Sequence, residues 1–211
     1  GLCGPCRTAL RPLPRPACAA CARPLAAAGL PAAWLCAACR DQPPAFDRLL
    51  AAWTYEPPID AVIQALKFAR LDYLGRHLAQ ALAASLGTDL EPCDLVVPVP
   101  LHWRRRLARG YNQAECIATP LAALLGRPCS AELRRRRTTA PQTSLGRESR
   151  LKNLRGAFLV PRPGRVHGRR ILLVDDVATT GATLEAAARG LRAAGATAVT
   201  AVVAARTPLQ P

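Results

Sequence analysis

Apolar residues recur at helical spacing over Ile59, Val62, Ile63 and Leu66, and again over Leu74, Leu78 and Leu82. That spacing predicts amphipathic helices reaching to about Leu86. The apolar run from Asp94 to Pro100 predicts a short buried strand opening into a loop, and Gln113 to Leu125 predicts a further helix. From Arg134 to Arg155 charge is high and periodicity is lost, which predicts a mobile loop. A strand (Ile171 to Val174), a helix (Thr183 to Ala194) and a strand (Thr197 to Ala204) follow. Strand, helix and strand in that order predict a parallel α/β sheet. Residues 1–44 differ: they carry six of the nine cysteines, many prolines and no convincing periodicity. A loop-rich stretch this short buries too little surface to fold without a staple.

The chain of 211 residues suits one ordinary domain, residues 45–211, behind a small appendage, residues 1–44. No run of 18 apolar residues is present, which excludes a spanning helix and membrane insertion by that route. The first twenty residues hold cysteines, prolines and arginines where a signal peptide would be apolar, so a cytoplasmic protein is expected. Methionine is absent even at position 1, and residues upstream of Gly1 are expected to be missing. The net charge of +15 suits a phosphate-bearing or nucleic-acid partner. Part of that charge is compositional style, because only Lys67 and Lys152 among the 29 basic residues are lysines. Aromatic residues, at 4%, are too sparse for an extended base-stacking surface.

Cys3/Cys6, Cys18/Cys21 and Cys36/Cys39 form three Cys-x-x-Cys pairs. Two intervening residues let both thiolates of a tight turn face one ion, and two such turns complete a tetrahedron. Fourteen residues separate Cys21 from Cys36, a zinc-ribbon spacing, so a structural Zn²⁺ is expected at Cys18, Cys21, Cys36 and Cys39. Cys3 and Cys6 would then be half of a second site; pairing them with Cys18/Cys21 is the other arrangement. A redox motif needs a strand before it and a helix after it, which no pair has. Disulfides fit poorly with a cytoplasmic chain.

The apolar run Ile171–Val174 ends in Asp175-Asp176, and ligands of parallel sheets bind beyond the carboxyl ends of strands. Ionised carboxylates only accept hydrogen bonds, which suits the two vicinal hydroxyls of a ribose, and they can help hold Mg²⁺ through substrate oxygens. Val177 and Ala178 lead into Thr179-Thr180-Gly181-Ala182-Thr183. There, hydroxyls, backbone N–H groups and a helix start can surround a phosphate. Asp175 and Asp176 are the candidate catalytic residues, and Asp175 to Thr183 the candidate ribose-phosphate loop. The arrangement resembles the signature of type I phosphoribosyltransferases, which bind phosphoribosyl pyrophosphate (PRPP).

A second anion-binding arrangement follows the strand ending at Pro98-Val99-Pro100: a loop with arginines and glycine, then a helix. Arginine's fork contacts phosphate oxygens in pairs, so Arg109 with Gly110 is the candidate pyrophosphate contact, while Arg104–Arg106 reads as a solvated basic surface. His102 reads as a packing or capping residue. The basic segment 134–155, with Arg137, Gln142 and Arg150, is a candidate lid over bound PRPP; a nonspecific nucleic-acid arm is the other reading.

Taken together, the cysteine pairs, Pro98-Val99-Pro100 with Arg109-Gly110-Tyr111-Asn112-Gln113, the lid pattern from Arg137 and Thr139 through Gln142, Leu145, Arg150 and Asn153 to Ala157-Phe158, and the Asp175–Thr183 loop resemble the ComF family of competence proteins over nearly the whole chain. That resemblance implies a zinc ribbon before a type I phosphoribosyltransferase fold, in the bacterial cytoplasm, with a link to natural DNA uptake. The family usually carries one more cysteine pair ahead of Cys3, which this sequence lacks. Two functions are compatible with it. One is an enzyme that transfers the phosphoribosyl group of Mg-PRPP to an acceptor and releases pyrophosphate. The other is a PRPP- or nucleotide-binding adaptor that contacts single-stranded DNA or competence-machinery proteins. No general base and no base-reading element stands out in the sequence.

Overall fold

Apolar runs separated by helices favour parallel pairing, and these strands pair that way in this computed structural model. It describes residues 3–26, 29–90, 92–135 and 156–208. Strands β1 (Arg48–Thr54), β2 (Leu95–Pro98), β5 (Arg170–Ala178) and β6 (Ala198–Arg206) form one sheet in the order β1-β6-β5-β2. All three pairings are parallel. Asp94 fixes the edge register by accepting from the backbone N–H of Arg170 at 2.8 Å and pairing with its guanidinium.

Helices α3 (Ile59–Phe68), α4 (Leu74–Leu86) and α6 (Gln113–Leu124) cover one face. Their Ile63, Leu66, Leu78, Leu82, Ile117 and Leu121 pack on Leu172, Val174 and Val202 of the sheet. Helix α7 (Ala182–Ala193) covers the other face, with Leu184, Ala187 and Leu191 against Ile171, Leu173 and Val203. A two-stranded ribbon of β3 (Arg134–Arg135) and β4 (Phe158–Leu159) joins that second layer. The candidate lid lies largely between these strands: residues 136–155, with Arg137, Gln142 and Arg150, fall outside the described residues.

Three elements depart from the sequence reading. Strand β1 was not expected. Its Leu-Leu-Ala-Ala-Trp core is buried on both faces and so lacks the alternation that marks a strand. The segment after Pro100 contains a helix, α5 (Trp103–Arg109), where a loop was expected. It buries no residue and so has no apolar stripe to read. His102 caps it, Nδ1 accepting from Arg104 N at 3.3 Å, and Gly110 ends it at φ 87°. Finally, β5 runs four residues beyond Val174. Pairing of Asp175 with Val203 and of Val177 with Ala205 holds the acidic pair in the ladder despite the low strand propensity of Asp.

In the cysteine segment, α1 (Gly4–Thr8) and α2 (Ala37–Asp41) are single turns. Among the described residues no helix is long and apolar enough to cross a membrane.

Candidate active site and metal centre

Successive residues of a strand point to opposite faces. Leu173 belongs to the core under α7 and Val174 to the core under α3, so alternation carries Asp175 to the first face and Asp176 to the second. Both are buried, at 8% and 4% exposure. The acidic pair therefore straddles the end of the sheet. On the α3 side Lys67 Nζ lies 2.8 Å from Asp176 Oδ2. Asp176 N donates to Asp175 Oδ1 at 2.9 Å, and Val177 N to Asp176 Oδ1 at 2.8 Å. Burial first, and then the neighbouring negative charge of Asp176, push the Asp175 carboxyl well above the usual range. Burial first, and then the charge of Arg105, pull the Arg135 guanidinium below its usual range, while the Asp175 charge opposes them.

Beside Lys67 opens a cleft of 470 Å³ lined by Lys67, Phe68, Arg70, Arg105, Ala108 and Arg109. Four cations around one cavity give it a positive field that suits an anion, although Lys67 is already paired with Asp176. Arg109 is positioned by its bond to Gln113 Oε1 and by the Phe68 ring, 5.1 Å from its guanidinium carbon. Burial works against its charge, while Asp176 supports it. The Tyr111 hydroxyl donates to Leu66 O, so the loop after α5 is tied to the end of α3 next to Lys67. Asn112 caps α6 by accepting from Ala114 N and also donates to Val99 O at 3.0 Å, beyond the end of β2. Lys67, Arg109 and the acidic pair are thereby brought to one end of the sheet.

The loop Thr179–Gly181 leads into α7, whose first residue is Ala182. Gly181 is the N-cap at φ 80°, a conformation that side chains rarely adopt. Thr180 Oγ1 accepts from Ala182 N at 3.3 Å. A helix N-terminus beyond a strand's carboxyl end is placed to receive a phosphate.

At the other end of the chain, the thiols of Cys18, Cys21, Cys36 and Cys39 lie within 4.8 Å of one another, all buried. Burial opposes ionisation of Cys18, but backbone N–H groups of Cys21, Cys36 and Ala20 outweigh it and hold that thiol at about 7. Cys39 is pushed up by burial and then by the charge of Cys21. Four close, buried sulfurs without disulfides suit a tetrahedral thiolate ion site. Cys3 and Cys6, also expected as ligands, stand apart at the exposed turn α1, and the arrangement pairing them with Cys18/Cys21 is not formed.

A family model described as a phosphoribosyl transferase domain matches residues 114–210. The chain is 36% identical over 205 residues to DNA utilization protein YhgH of Salmonella typhimurium, covering 94% of this chain and 87% of that relative. It is 32% identical over 202 residues to competence protein F of Haemophilus influenzae, covering 92% and 86%. The chain belongs to the ComF family of competence proteins. Among solved structures, a glutamine PRPP amidotransferase from B. subtilis, complexed with ADP and GMP, aligns over 64% of this chain and 26% of that one. Its identity is 26% and the TM-score 0.41.

This ComF-family chain has a type I phosphoribosyltransferase fold behind a small cysteine segment. Sequence reasoning missed Lys67, although the signal was present. Ile59, Ile63 and Lys67 are spaced four apart, which sets a cation on the buried stripe of α3. Arg70 and Arg105 were likewise missed as part of the cleft.

Proposed function

We propose that the chain binds PRPP at the end of the sheet and transfers its phosphoribosyl group to an acceptor, releasing pyrophosphate. The observation that carries this reading is the gathering of three chemistries at one end of the sheet: helix start, carboxylate pair, cationic cleft. The loop Thr179–Thr183 takes the 5′-phosphate, with Gly181 allowing close approach and α7 directing its N-terminus at the anion. Asp175 and Asp176 accept from the ribose hydroxyls and stabilise the positive charge that develops at the anomeric carbon. Lys67 and Arg109, with Arg70 and Arg105 around them, neutralise the departing diphosphate. Asp175 and Asp176 would hold Mg²⁺ together with bound PRPP, and the ion would supply positive charge to the diphosphate.

Residues 1–44 are a zinc ribbon, with Zn²⁺ at Cys18, Cys21, Cys36 and Cys39; Cys3 and Cys6 supply half of a further site. The protein works in the cytoplasm, and the relatives' names, DNA utilization and competence, point to the handling of incoming DNA. The test is to incubate the zinc-loaded protein with Mg-PRPP and candidate acceptors while following pyrophosphate. Acceptor-dependent release is expected; binding without release by any acceptor would leave an adaptor.

One observation favours that second reading. Trp103, Leu107 and Phe68 are 56%, 76% and 72% exposed, close to Arg104 and Arg109, whose guanidinium carbons lie 5.2 and 5.1 Å from the Trp103 and Phe68 rings. Aromatic rings among arginines suit a single strand, its bases stacked and its phosphates paired. Trp103→Ala should then weaken binding of a single-stranded oligonucleotide by about 5-fold or more, with wild-type affinity falling steeply as salt rises. Salt-insensitive binding, or no change in the variant, contradicts it.

A further inference from the structure

The two cysteine turns are fastened to different parts of the frame that supports the ribose-phosphate loop. Ala20, inside the Cys18–Cys21 turn, accepts from Leu49 N at 2.8 Å at the start of β1. Ala22 packs in the core cluster that includes Leu49 and Ala51. The Cys36–Cys39 turn runs on through Gln42, Pro43 and Pro44 to Ala45, whose N–H donates to Glu185 Oε2 at 2.7 Å. Glu185 lies in the first turn of α7, four residues from the Gly181 cap. Arg192, on the same helix, donates to Ala45 O at 3.4 Å and pairs with Asp47. A cavity of about 50 Å³ is walled by Cys21 and Cys39 together with Thr180, Gly181 and Ala182, and the buried Arg206 also lines it. It is too small for a nucleobase. It is instead a shared wall between the thiol cluster and the phosphate loop.

We propose that a metal ion at Cys18, Cys21, Cys36 and Cys39 sets the affinity of the ribose-phosphate loop. This rests on the PRPP-binding reading of that loop. One ion joining both turns links β1 to the first turn of α7 through Ala20 and Ala45. Without it the segment from Cys36 to Ala45 regains conformational freedom, and the α7 start loses the brace at Glu185. Ordering these groups is then a cost borne when phosphate binds. Arg206 adds positive charge to the shared wall, where a tetrathiolate site and a bound phosphate are both anionic.

The test measures ribose 5-phosphate affinity by calorimetry with Zn²⁺ loaded and after chelation, with circular dichroism confirming that the α/β part stays folded. Affinity is expected to fall about 10-fold on chelation, within the range usual for coupled sites. Linkage requires the reciprocal effect, so saturating ribose 5-phosphate should raise Zn²⁺ affinity by the same factor in a chelator competition. Should chelation unfold the chain, Glu185→Ala tests the coupling with zinc in place. It should bind ribose 5-phosphate as weakly as a decoupled protein, while Glu185→Gln, which keeps the acceptor oxygen for Ala45, retains wild-type affinity. Equal affinity with and without zinc in folded protein overturns the proposal, as does wild-type affinity in zinc-loaded Glu185→Ala. Failure of the zinc-loaded wild type to bind ribose 5-phosphate at all is a separate result, which removes the PRPP reading itself.

Discussion

Asp175 carries the electrostatic strain of the site, since burial and a neighbouring carboxylate both resist its ionisation. A folded-state value raised above the unfolded one means that the folded chain holds the proton more tightly. The resulting stability is present at acid pH and is lost as pH climbs through the raised value. Asp175→Asn removes that dependence. The variant should match wild type at about pH 4 and exceed it by about 1–2 kcal/mol near pH 8, read from urea unfolding. Equal stability at both would show that Asp175 ionises without cost. For the same reason, ribose 5-phosphate affinity of the wild type should rise with pH as Asp175 ionises. Lys67 is the complementary residue. Lys67→Ala leaves the buried Asp176 carboxylate without its 2.8 Å partner and takes one cation from the cleft. Affinity for pyrophosphate should fall about 10-fold or more, whereas affinity for ribose 5-phosphate should change far less. Parallel losses for both ligands would place Lys67 elsewhere. Lys67 could be read from the sequence only by following the α3 stripe to its end. The opposed directions of Asp175 and Asp176 could not, because they depend on β5 continuing past Val174.

Among the elements, those with one buried face were legible and those without were not. Helices α3, α4, α6 and α7 each show an apolar stripe, and the sequence reading finds α6 and α7 to within a residue at each end. Strand β1 and helix α5 fail for opposite reasons, one buried all round and the other exposed all round. The packing of α4 on α6 gives a sharp test. A Cβ at Gly75 would come within 2.3 Å of Cys116 O on the facing helix, so the two backbones meet there without room for a side chain. Gly75→Ala should destabilise by about 1–3 kcal/mol despite the better helix propensity of alanine, with a lower urea midpoint. An unchanged or higher midpoint would mean that the helices move apart freely. The meeting of Cys18/Cys21 with Cys36/Cys39 was legible from spacing alone, but their attachment through Ala20, Ala45 and Glu185 involves contacts distant in sequence.

For the whole molecule, the parallel order β1-β6-β5-β2 explains why residues from opposite halves of the chain meet. Lys67 and Arg109 come from before β5, and Asp175 to Thr183 from its end and beyond, yet all collect where strands give way to loops. The charge of +15 is partly composition, and four of its cations line the 470 Å³ cleft. The central claim is that this end of the sheet binds ribose phosphate through the acidic pair. Calorimetric titration of Mg-PRPP into zinc-loaded wild type and Asp175→Asn/Asp176→Asn tests it most directly. Saturable wild-type binding is predicted, with a loss of about 100-fold or more in a double variant that keeps its wild-type circular dichroism. Equal affinity in the two proteins would contradict it.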